Sequence, residues 1–95
     1  GRTALMFASS GTDGDTVRLL LDHGAKVNEA DSGEHFTPLM WAAAEGRADI
    51  CTLLLDHGAD PSITDIDGDT AATFAENNGH ADVVELLGGA DAAAH

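Results

Sequence analysis

The sequence predicts an all-α fold, a solenoid of short helix-turn-helix units stacked side by side. Three observations predict it. First, the string Leu19-Leu20-Leu21-Asp22-His23-Gly24-Ala25 returns letter for letter, 34 residues later, as Leu53-Leu54-Leu55-Asp56-His57-Gly58-Ala59. A period of this size marks a small supersecondary unit that cannot bury its apolar face alone and so stacks on copies of itself. Second, Thr3-Ala4-Leu5-Met6-Phe7-Ala8 shares its phase with Thr37-Pro38-Leu39-Met40-Trp41-Ala42 and with Thr70-Ala71-Ala72-Thr73-Phe74-Ala75. Third, the stretches 26–36 and 60–69 are rich in Asp, Ser and Gly, which marks turns between the apolar segments. The period divides the chain into a single domain of three units, approximately 1–34, 35–68 and 69–95, with 88–95 expected as a frayed tail.

Each unit reads as two short helices. Thr3, Thr37 and Thr70 are placed to accept backbone hydrogen bonds as N-caps. Pro38 follows at a first helical position, where its fixed φ fits and its missing N–H is no loss. Leu39, Ala42 and Ala43 recur at helical spacing and give the first helix a narrow face of small residues. The second helix is expected to bury Ile50, Leu53 and Leu54, with Val83, Leu86 and Leu87 as equivalents. Thr16 takes the Ile50 place in the first unit and weakens that layer. Gly24 and Gly58 end the second helices, where positive φ favours glycine. His23 and His57 are expected to meet the last carbonyls of those helices. Cys51 shares a column with Val17 and Val84 and reads as a buried, inert thiol. Trp41 shares a column with Phe7 and Phe74, which predicts an aromatic layer between the first helices.

Composition narrows the function. The chain has 95 residues, 17 Asp and Glu against 4 Lys and Arg, and a formal net charge of −13. That balance disfavours a phosphate backbone, which is gripped by clustered cations, and an anionic membrane surface. It favours a basic protein partner. One cysteine permits no internal disulfide or thiolate zinc cluster. There is no leader-like or spanning apolar run, so a soluble, intracellular protein is the default expectation. The chain starts in the middle of a unit, as if excised from a longer one.

Thr37-Pro38-Leu39, Ala42-Ala43, Gly46, Leu53-Leu54 and Gly58-Ala59-Asp60 resemble the ankyrin repeat, and the resemblance runs through about Leu87. It implies an L-shaped unit of two antiparallel helices with a projecting β-hairpin or loop finger. The sequence departs from the family pattern in three ways. Met6, Met40 and Thr73 stand where a histidine is usual. The third unit lacks both Pro and Leu at its start and ends in Gly88-Gly89, as a worn cap. The finger 31–37 is one residue longer than 65–70, with the extra residue near Gly33-Glu34-His35, and a lengthened loop is a place for specificity.

The resemblance also implies a partner along a concave side. Carried over by position, the residues facing it are Arg2, Phe36 and Asp69 just before each Thr. The finger positions are Ser32, Glu34, His35, Ile66 and Asp67, and those on the first helices are Ser10, Ala44, Glu45, Asn77 and Asn78. Phe36 and Ile66 stand out, because a polar loop has no structural need of a large apolar side chain. Each is an anchor candidate, and the alternative for Phe36 is that it folds over its own finger. Asp67 and Asp69 would attract Lys or Arg and raise the association rate.

Catalysis is not expected. There is no nucleophile elbow, Gly-rich phosphate loop or paired-His motif, and a thin stack offers no desolvated cleft to separate carboxylate pKa values. Asp65, Asp67, Asp69 and Glu76 have the spacing of a calcium loop, but Thr70 stands where that loop needs a glycine. The expectation is therefore no metal and no cofactor. The leading functional expectation is a monomeric protein-binding module for a basic or amphipathic segment. The alternative is an internal scaffolding segment of a longer or self-associating solenoid.

Overall fold

The computed structural model describes Leu5, Ser9 and residues 14–87. Expectations that fall on Arg2, Thr3, Met6, Phe7, Ser10 and residues 88–95 lie outside the described residues. Among the described residues there are helices and loops and no strand: α1 (Gly14–Asp22), α2 (Pro38–Ala44), α3 (Ala48–Asp56), α4 (Ala71–Asn77) and α5 (Ala81–Leu86). They form two rows. α2 packs on α4 in one row, and α3 packs between α1 and α5 in the other. The pairs α2–α3 and α4–α5 are the helix-turn-helix units.

Local chemistry sets the helix ends. The Thr37 hydroxyl accepts from the Met40 N–H at 3.3 Å, and Pro38 follows in the first turn. Met40 completes a capping box with its sulfur, which accepts from the Thr37 N–H at 3.5 Å. Thr70 caps α4 in the same way through Thr73, hydroxyl for sulfur. Gly24 and Gly58 follow the second helices at φ 90 and 93. The His57 Nδ1–H donates to the Leu53 carbonyl at 3.0 Å, closing the last turn of α3.

The core is a run of small and aliphatic side chains. Leu39, Ala42 and Ala43 of α2 and Ala71, Ala72 and Ala75 of α4 are buried, so the two helices approach closely. In the other row Val17, Ile50, Cys51, Leu54 and Val83 are fully enclosed. Leu53 is only half-buried, and Leu86 is exposed rather than buried as expected. Thr16 is exposed where Ile50 and Val83 are buried, so the first unit presents a polar group at that position. Burial, with Asp49 and Asp82 adding their negative charge, pushes the Cys51 thiol up to about 12. It stays protonated at neutral pH and is a poor nucleophile.

Hydrogen bonds between units add to the stacking. The Asn28 amide donates to the Gly58 carbonyl at 3.2 Å, while its oxygen accepts the Asp60 N–H at 2.8 Å. The Asn78 amide donates to the Ala44 carbonyl at 3.0 Å. The His57 Nε2 lies 3.8 Å from the Asp22 carboxylate of the preceding unit, too far for a hydrogen bond. The asparagine bridges lie near the surface, each hydrogen bond contributing about 1 kcal/mol or less.

Candidate functional site

The two fingers are loops, each built on one aspartate. Asp31 Oδ1 accepts the N–H groups of Glu34 and Phe36, at 3.0 and 3.3 Å. Asp65 Oδ1 accepts those of Asp67 and Asp69, at 2.9 and 2.8 Å. A backbone bond closes each finger, Asp31 N–H to Phe36 O and Asp65 N–H to Asp69 O, both 2.9 Å, and in the shorter finger the Gly68 N–H also donates to the Asp65 carbonyl at 3.0 Å. A further backbone bond joins the fingers, from the Ile66 N–H to the Glu34 carbonyl at 3.0 Å. The fingertips therefore form one continuous edge with Ile66 in it.

The two fingers differ at their position of positive φ. The position held by Gly68 at φ 86 in one finger is held by His35 at φ 63 in the other. An L-residue in that region carries a steric cost of about 1–2 kcal/mol. His35→Gly is therefore expected to stabilise the protein by about 1 kcal/mol, after allowing for the greater freedom of glycine in the unfolded chain. A denaturation midpoint that is unchanged or lower would show that the His35 side chain makes a compensating contact.

Phe36 neither projects freely nor folds over its own finger. It is half-buried and wedged edge-on between two rings, with its centroid 5.4 Å from Trp41 at 86° and 5.4 Å from Phe74 at 82°. Such edge-to-face pairs add about 0.5–1.5 kcal/mol beyond the area they bury. The aromatic layer thus spans α2 and α4 with Phe36 as its bridge. Beside it lies a cleft of about 60 Å³, lined by Phe36, Met40, Trp41, Ala44 and Phe74.

Of the other candidate positions, Ala44 lines this cleft. Ile66 is 62% exposed, the largest fraction among the large apolar residues described. Ser32, Glu34, His35, Asp67, Glu45, Asn77 and Asn78 are exposed, and Ala44 and Asp69 are half-buried. Glu45 ends α2 and Asn78 ends α4. The Asn78 side chain is held by the Ala44 carbonyl, which fixes it at the rim of the cleft. Arg2 and Ser10 lie outside the described residues.

Asp65, Asp67 and Asp69 bring carboxylate oxygens within 4.8 Å of one another. Glu76, the fourth acid of the calcium-like spacing, is not in that group. Asp65 is buried and its Oδ1 is spent on two backbone N–H groups. Turn formation thus accounts for the residue on which a cation would most depend.

Sequence reasoning missed two features. The Asn28 clamp between units had no signal, because an Asn in a polar turn is usual there. The imidazole of His80 lies against Gly46, so that a Cβ added at Gly46 would stand 2.6 Å from His80 Nδ1. The sequence placed Gly46 in the repeat pattern without revealing what covers it.

Among the described residues no helix is long and apolar enough to cross a membrane. The family model for ankyrin repeats (3 copies) matches residues 1–65 and again 37–94. No curated protein matches the chain. Repeats of this kind are generally protein–protein interaction modules and typically non-catalytic. The stacked helix pairs, the capped α2 and α4, the paired fingers and this match together show that the chain belongs to the ankyrin-repeat family.

Proposed function

We propose that this domain binds a basic or amphipathic segment of another protein along the side formed by its fingertips, α2 and α4. The observation that carries the reading is Ile66, an exposed aliphatic side chain flanked by Asp65, Asp67 and Asp69 on an edge where adjacent fingers are hydrogen-bonded together. An apolar anchor within an acidic surface suits a partner that offers both an apolar residue and lysine or arginine. The anchor supplies affinity and the carboxylates speed the encounter. Glu34 and Glu45 extend the negative surface, and Asn77 and Asn78 offer amides to a partner backbone. In this reading the domain acts as a monomer without a cofactor, in a reducing intracellular compartment, where the single buried thiol needs no partner.

The test compares wild type with Ile66→Ser and Asp67→Lys in affinity capture, with melting measured alongside. Ile66→Ser is expected to weaken binding by about 1–3 kcal/mol and to leave melting unchanged, because the side chain is exposed. Binding of wild type is expected to fall as salt rises, and Asp67→Lys to mimic high salt. Equal capture by all three proteins would overturn the reading.

A further inference from the structure

The cleft beside Phe36 says more about the partner than the charge does. Its lining is Phe36, Met40, Trp41, Ala44 and Phe74, with no charged group among them. Its volume of about 60 Å³ is less than half of the roughly 150 Å³ that an apolar cavity offers when it takes up benzene. Because the cleft opens to solvent, its volume limits what it can enclose: a phenyl or indole ring would be left partly outside, and an alanine methyl leaves most of the space empty. A branched aliphatic side chain of three or four carbons matches it. Around this apolar floor the surface is acidic. Glu45 adjoins Ala44, Asp69 holds in its finger the place that Phe36 holds in the other, and the whole chain carries −13. A segment that places an aliphatic residue in the cleft therefore brings its neighbours over carboxylates.

We propose that the cleft seats one valine, leucine or isoleucine side chain of the partner, with lysine or arginine on either side of it. This rests on the reading of the concave side given above and specifies it. The three lining rings are preordered by their edge-to-face contacts, so little ordering is required of the protein when the side chain enters.

The single tryptophan, Trp41, is in the wall of the cleft and reports occupancy by its own fluorescence. The probes are nine-residue peptides of alternating serine and lysine with leucine, serine or phenylalanine at the centre, and a fourth with glutamate for every lysine and leucine at the centre. The leucine peptide is expected to shift Trp41 emission. The serine and phenylalanine peptides are expected to bind at least about tenfold more weakly, and the glutamate peptide not at all. Ala44→Leu fills the cleft from the end of α2 with a good helix former. It is expected to abolish the preference for leucine over serine while leaving the salt-dependent binding.

If the serine and leucine peptides bind alike, with Trp41 emission unmoved, the cleft proposal is wrong and the acidic-surface reading stands. If phenylalanine binds as well as leucine, the size argument fails. If none of the lysine peptides binds at millimolar concentration, both the proposal and the basic-partner reading fall.

Discussion

Leu54→Ala is expected to cost about 3–4 kcal/mol, a large part of the roughly 5–14 kcal/mol that a chain of 95 residues commands. Leu54 is 0% exposed and sits in α3, the helix that touches α1, α2 and α5. Truncation removes three carbons from the middle of the stack and leaves a cavity in the helix that packs against three others. They cannot all close on it at once. The control is Leu19→Ala, the same chemistry at an exposed place in the first unit's copy of the leucine string, one column before the Leu54 position. Leu19 is 56% exposed, and its loss is expected to cost no more than about 0.5 kcal/mol. Urea denaturation of both variants with a common m-value checks the pair. Similar costs for the two would show that the units do not share a continuous core.

The equivalent leucines mark how far the sequence could be read: Leu20 is half-buried where Leu54 is fully buried, and Leu19 is exposed where Leu53 is half-buried. The strings 19–25 and 53–59 are identical, so sequence alone gives them one description. Their environments differ, because burial in a stack depends on what lies on either side, and the first unit presents Thr16 where later ones present Ile50 and Val83. Caps, turns and periodicity were legible because they are governed within four or five residues: Thr37 and Thr70 on their helices, Gly24 and Gly58 at positive φ. Leu86 was misjudged by the same periodicity, since a period identifies a face without saying whether a neighbour covers it. Phe36 was recognised as unusual for a loop, but its two ring partners come from α2 and α4, one of them 38 positions away. That contact is set by the relation between units, which the pattern within one unit does not encode. The acidic character of the candidate site was plain in the composition, whereas the apolar cleft within it appears only once the units are stacked.

The same dependence on neighbours makes Gly46→Ala the second large effect, expected at about 2–4 kcal/mol. Two costs add. Gly46 has φ 72, in the region that carries about 1–2 kcal/mol for an alanine. A Cβ there would also stand 2.6, 2.7 and 2.9 Å from Nδ1, Cε1 and Cγ of His80. Three ring atoms at such distances mean the whole imidazole must move, and His80 is also the N-cap residue of α5. The two costs separate experimentally, because Gly79 occupies the equivalent place in the next unit with φ 77 and nothing within 4 Å of its added Cβ. Gly79→Ala is expected to show the conformational cost alone, about 1–2 kcal/mol. Removing the ring tests the remainder. In the cycle of Gly46→Ala with His80→Ala, the double variant is expected to be more stable than the sum of the single losses by about 1–2 kcal/mol, since the methyl then occupies the space the imidazole left. Strict additivity, or an equal loss at Gly46 and Gly79, would mean that the ring yields freely and that the backbone alone demands glycine.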